Sequence, residues 1–168
     1  MKQNRFKRTN GDVRFLTRAA MIATLYVALS YISTVFGLAS GVVQFRISEI
    51  LCILPVLMPE AIPGLFIGCI LSNIIGGCLP WDIIFGSVAT LIGAIGCYCL
   101  RRLPDKIKWL ATLPNLFSNC IIVPLVLIYA YGVSNGFFFL MMTVGLGELV
   151  CGVIGGSVFY YSVKKIKL

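Results

Sequence analysis

Long uncharged apolar stretches, each stopped by charge or by turn residues, set the pattern of this chain. The uncharged runs are 19–45, 50–59, 61–81, 83–100, 109–147 and 149–163. A helix that crosses a bilayer needs roughly 20 such residues. Run 19–45 holds one helix and a loop, broken by Gly37, Ser40 and Gly41. Run 109–147 is far too long for one helix, and Gly132, Ser134, Asn135 and Gly136 divide it. The stretch 47–78 reads as one broken helix or as two, with Pro55, Pro59, Pro63 and Gly64 as the breakers.

Basic residues decide between these. Six of them crowd the N-terminus (Lys2 to Arg18), four lie at Arg101, Arg102, Lys106 and Lys108, and three at Lys164, Lys165 and Lys167. If all three clusters face the cytoplasm, an even number of crossings separates each pair. Splitting 47–78 at Pro59 and Pro63 satisfies this and leaves only Arg46 of the fourteen basic residues outside. The expected architecture is an all-α bundle of six transmembrane helices, about 15–37, 47–58, 61–78, 82–101, 109–131 and 137–163, with both termini cytoplasmic. Residues 1–14 form a basic cytoplasmic segment before a single membrane domain, 15–168. The second helix, about 12 residues or roughly 18 Å long, cannot cross the hydrocarbon alone and needs shielding by its neighbours.

Composition agrees. The chain has 168 residues, 59% hydrophobic and 12% charged, with mean hydropathy +0.97. No water-soluble domain of this size buries that much apolar surface, so the class is polytopic membrane protein. The net charge of +8 sits beside apolar runs, which makes it an anchor at anionic lipid, not a nucleic-acid surface. The first run is longer than a signal-peptide core and reads as a retained helix. All seven cysteines lie within or at the edge of apolar runs and form no CxxC pair, so they read as small buried hydrophobes. Without histidine, a Walker loop or a nucleophile–base pair, the chain is expected to be no enzyme, to bind no metal and to need no cofactor of its own.

Chemistry concentrates elsewhere. On this topology Glu49, Asp82 and Glu148 fall in the outer half or near the middle. Glu148 is about 11 residues into its helix, roughly 16 Å down by helical rise, a depth at which a carboxyl is expected to function. Arg46 and Glu49 either pair at i, i+3 or belong to a loop, 43–48, that dips over an outward cavity with Gln44 and Arg46 as polar handles. Asp82, after Pro80 and Trp81, is placed to cap a helix. Trp81 is a belt residue or a ring-stacking wall, and Asn73 and Asn119 lie inside helices 3 and 5. Together these carboxylates, amides and tryptophan suit a small, flat, polar solute with several N–H donors, such as a guanine-like amino-pyrimidinone edge. Glu60, at the start of helix 3, complements the helix dipole. The small-residue pairs Gly64/Gly68, Ala89/Gly93, Gly152/Gly156 and Ala19/Ala23 predict close helix packing.

The segments QFRISEILCILPVLMPEAIPGLFIGCILSNIIGG (44–77), PWDIIFGSVATLIGA (80–94) and GLGELV (145–150) resemble the QueT family, queuosine-precursor transporters that serve as substrate-binding S components of energy-coupling factor importers. The resemblance implies a six-helix protein of the bacterial plasma membrane. It would hold prequeuosine, its cyano analogue or queuine near the outer face and associate with a shared transmembrane coupling protein and two cytoplasmic ATPases. It also implies that an AxxxA-like pair in helix 1, Ala19 and Ala23, contacts the coupling protein. An S component for biotin, riboflavin or folate would use the same scaffold, and a small membrane enzyme acting on lipid is the reading from another class.

Overall fold

The computed structural model describes residues 2–38 and 44–165, and every regular element among them is helical. In chain order these are α1 (Lys2–Val35), a 3-10 helix (Ile47–Val56), α2 (Ala61–Ile75), α3 (Pro80–Cys99), short 3-10 turns, α4 (Leu113–Tyr129), α5 (Phe137–Glu148) and α6 (Gly156–Lys165). A π segment, Leu149–Gly155, joins α5 to α6, so Phe137–Lys165 forms one apolar span. Four spans are long and apolar enough to cross a membrane, and Ile47–Val56 and Ala61–Ile75 are two shorter apolar helices. The chain is a multi-pass membrane protein.

The expected boundaries hold to within a few residues, with three differences. Helix α1 runs unbroken from Lys2 through the basic segment expected to stand apart. Lysine and arginine are good helix formers, and nothing but Gly11 interrupts them after residue 2. The second crossing is a 3-10 helix, about 20 Å long at roughly 2 Å per residue. The sixth contains the π segment.

The 3-10 helix forms the centre of the bundle, as its shortness required. Ser48, Glu49, Leu51, Cys52, Ile53, Leu54 and Pro55 are all buried. Its first amide, Ile47 N–H, has no partner within the helix and donates to Ser33 Oγ of α1 at 2.9 Å, while Ser30 Oγ donates to Ser48 Oγ at 2.8 Å. Leu51, Cys52 and Leu54 pack with Ile22 and Tyr26 of α1 and with Leu65 and Cys69 of α2. In lipid such contacts act by close packing and hydrogen bonding, because apolar surface gains little by leaving apolar solvent.

Ala19 and Ala23 face inward. They are 5% and 6% exposed, and they meet Gly64 and Gly68 of α2. A Cβ on Gly64 would lie 2.7 Å from the Ala19 carbonyl oxygen, and one on Gly68 3.1 Å from Ala23 Cα. The two small-residue pairs therefore close on each other. Ala19 and Ala23, expected to contact another protein, here pack on α2: only glycine lets α2 approach α1 this closely, and the approach buries both alanines.

Arg18, Arg101, Lys108 and Lys164, one or more from each basic cluster, lie toward one end of the bundle. There Arg18 pairs with Glu60 at 3.1 Å. Glu60 thus serves an ion pair and makes no side-chain cap at the start of α2. At the same end Lys164 pairs with Asp105, whose carboxylate also accepts from Tyr160 Oη at 3.0 Å. Arg46 lies at the opposite end, just before the 3-10 helix. Cys78 and Cys99 bracket α3 and are half-buried and exposed, whereas the other five cysteines are buried as expected.

Candidate functional site

At the end of the bundle away from the basic clusters lies a polar cavity of about 320 Å³, at the lower end of the range for ligand sites. Each polar group reaches it from a helix end or a turn. Gln44 and Arg46 come from the approach to the 3-10 helix, Asn73 and Cys78 from the end of α2, and Asp82 from the first turn of α3. Ser30, Ser33 and Thr34 face it from α1, and Tyr131 from just beyond α4. Val123, Val126 and Leu127 of α4 give it one apolar wall.

The charges in this cavity are arranged unusually. Asp82 is 6% exposed. Its Oδ2 accepts from Tyr131 Oη at 3.0 Å, and its main-chain carbonyl accepts from Asn73 Nδ2 at 3.5 Å. Arg46 lies in the field of Asp82, Glu49 and Glu148 but closes no ion pair with any of them. Arg46 and Glu49 meet through the main-chain bond from Glu49 N–H to the Arg46 carbonyl, 3.0 Å, and Gln44 and Arg46 line the cavity. Val43, at the start of the expected cavity loop, lies outside the described residues.

A second polar cluster sits deeper. Asn115 of α4 donates through Nδ2 to Glu49 Oε2 at 2.9 Å and to Glu148 Oε2 at 3.2 Å. Glu49 also accepts from Tyr26 Oη at 2.7 Å and from Cys52 Sγ at 3.0 Å. One amide thus joins the 3-10 helix, α4 and the end of α5. It fits because Gly93 of α3 leaves room: a Cβ there would lie 2.7 Å from Asn115 Cα. Gly147 does the same for the cavity loop, since its Cβ would stand 1.9 Å from the Gln44 carbonyl oxygen.

The structure therefore divides the eight expected site residues. Gln44, Arg46, Asn73 and Asp82 share the cavity. Glu49 and Glu148 lie in the Asn115 cluster and are not among the cavity's lining residues. Asn119, one turn beyond Asn115, is buried, and its Nδ2 has no protein partner. Trp81 is 60% exposed and stacks on Phe85, lining a separate apolar groove with Leu125 and Tyr129. Trp81, expected as a belt residue or a stacking wall, is therefore not among the residues that line the polar cavity. Asp82 lies inside the first turn, where Leu79 is the capping residue, and makes no side-chain cap.

Two residues of these polar groups, Asn115 and Tyr131, were not among those expected from the sequence. Asn115 had a signal, an amide four residues before Asn119 on the same helical face. Tyr131 had none, because a tyrosine beside a turn glycine is ordinary. Among the described residues no group of three or more cysteines and acids is placed to hold a metal.

A model of the QueT transporter family matches residues 16–165. The chain is 26% identical over 157 residues to the queuosine precursor transporter QueT of Lactococcus lactis subsp. cremoris, an alignment that takes in 89% of this chain and 92% of that one. No solved structure matches the chain. The family match contains the cavity and the Asn115 cluster within its bounds, and the chain belongs to the QueT transporter family.

Proposed function

We propose that this protein is the substrate-capturing membrane subunit of an energy-coupling factor importer, and that it binds a 7-deazaguanine precursor of queuosine. The observation that carries the reading is the pairing of opposites in one cavity: a buried carboxylate, Asp82, and a guanidinium, Arg46, that do not neutralise each other. A deazaguanine has the matching edge. Its N1–H and 2-amino group are adjacent donors for Asp82, and its carbonyl oxygen is an acceptor for Arg46. Gln44 and Asn73 supply further amide contacts. The name of the Lactococcus relative supports the same substrate class.

ATP hydrolysis then belongs to two cytoplasmic ATPases reached through a transmembrane coupling protein. Helix α1 offers that partner a lipid-facing row of small residues, Ala20, Thr24 and Ala28, in place of the buried Ala19 and Ala23. The basic end faces the cytoplasm and the cavity faces outward.

Binding is tested by calorimetry on the purified protein in detergent, with prequeuosine as ligand and guanine and riboflavin as controls. Asp82→Asn and Arg46→Leu are each expected to weaken prequeuosine about 10- to 100-fold, the range for a hydrogen bond to a charged group. Unchanged affinity in both variants would falsify the assignment of this cavity. Orientation is tested with single-cysteine variants on intact cells. A membrane-impermeant maleimide is expected to label Cys78 and to spare Cys99, which lies about 30 Å away along α3. Labelling of Cys99 alone would invert the topology.

A further inference from the structure

We infer that Tyr131 is a specificity-determining residue of the cavity, its ring the wall against which the flat ligand lies and its hydroxyl the group that positions Asp82. The inference rests on the cavity reading above and adds to it.

Tyr131 is the one aromatic residue among those lining the cavity. It stands at the mouth, 42% exposed, immediately after α4 and its capping residue Ala130. Gly132, at φ +65°, then turns the chain away. The ring is held at both ends. Its main-chain N–H donates to the Val126 carbonyl at 3.4 Å, and its hydroxyl reaches across to the start of α3. That hydroxyl makes two bonds. It accepts from Leu79 N–H at 3.2 Å and donates to Asp82 Oδ2 at 3.0 Å.

The second bond divides the carboxylate. A carboxylate offers about four lone-pair sites on its two oxygens. Tyr131 occupies one on Oδ2, the Cys78 thiol also interacts with the carboxylate, and Oδ1 lies on the side of Gly86, whose added Cβ would stand 3.2 Å from it. Asp82 therefore meets the ligand already oriented, with lone pairs left for a ligand donor. The phenol is also the one ring in this lining, the surface on which a flat ligand held at Asp82 can stack with an offset. The aromatic surface sought at Trp81 is thus supplied from the opposite rim.

A double-mutant cycle tests this, read by calorimetry with prequeuosine. Tyr131→Phe keeps the wall and removes the hydroxyl, and is expected to weaken binding about tenfold. In an Asp82→Asn background the same change is expected to have less than a twofold effect, because the hydroxyl acts through the carboxylate. Tyr131→Leu removes wall and hydroxyl together and is expected to weaken binding more than Tyr131→Phe does. Equal losses in the two backgrounds would overturn the positioning role. Equal affinity of the Phe and Leu variants would overturn the stacking wall. If the wild-type protein binds prequeuosine and Tyr131→Phe binds it equally well, Tyr131 is not a specificity residue and the cavity assignment stands. If the wild-type protein binds no deazaguanine, both fall. The Phe and Asn exchanges are close in size to the originals, so the cycle is decided even if the Leu variant does not fold.

Discussion

Asn115→Leu is expected to cost about 1–3 kcal/mol of stability, the range for leaving a buried polar group without its hydrogen-bond partner. Asn115 Nδ2 is the one donor to Glu148 among the described residues, and it also serves Glu49. Glu49 keeps Tyr26 and Cys52 after the change; Glu148 keeps no hydrogen bond from the described residues. Leucine has asparagine's branching and the same number of side-chain heavy atoms, so the space beside Gly93 stays filled and the loss is chiefly one of hydrogen bonds. In detergent the melting temperature is expected to drop by about 5 °C, with a matching loss of the monodisperse fraction on gel filtration. Adding Glu148→Met removes the orphaned acceptor and is expected to restore most of the loss. A double variant no more stable than Asn115→Leu would show that packing, and not hydrogen bonding, makes this position sensitive.

The second large effect is expected at Gly147. Alanine there places a Cβ 1.9 Å from the Gln44 carbonyl oxygen, inside any permissible contact. Main chain cannot yield as a flexible side-chain tip does, so residues 44–46 must move away from α5. Arg46 moves with them and leaves Asp82 without its counterpart in the cavity. Overpacking of this kind costs about 1–3 kcal/mol, and here it falls on the bound geometry. Gly147→Ala is expected to weaken prequeuosine at least tenfold while the protein stays folded. Gly145→Ala is the matched control: its Cβ would lie 3.1 Å from Cys120 Sγ, a side chain able to shift, and its affinity is expected to stay within about twofold of wild type. Normal binding by Gly147→Ala would mean that the cavity loop is not seated on this glycine.

Charge placement made the crossings legible. The breaks at Pro59 and Gly132 fall between helices and Pro63 falls in the first turn of α2, whereas Pro55 and Gly64, read as breakers too, lie inside their helices. The 3-10 and π segments were not legible. Where a helix is apolar on every side, hydrophobic periodicity carries no record of its winding. Small-residue pairs announced close approach without naming the partner, so the meeting of Ala19 and Ala23 with Gly64 and Gly68 is a fact of tertiary structure. The cavity was half legible. Gln44, Arg46, Asn73 and Asp82 are polar groups in apolar surroundings, and that contrast is visible in a sequence. Depth along a helix placed Glu148 near mid-bundle, but depth does not say which way a side chain turns. That is why the carboxylates of Glu49 and Glu148 were grouped with Asp82 when in fact they serve Asn115.

The central 3-10 helix has one further consequence. Arg46 of the cavity precedes its first residue, and its far end, Val56, lies four residues before Glu60, the anchor of Arg18. Seven of its ten residues are buried, so it has no room to bow sideways. Its ten residues are thus the short, enclosed stretch of chain that links the cavity's cation to the Arg18–Glu60 pair at the opposite end of the bundle.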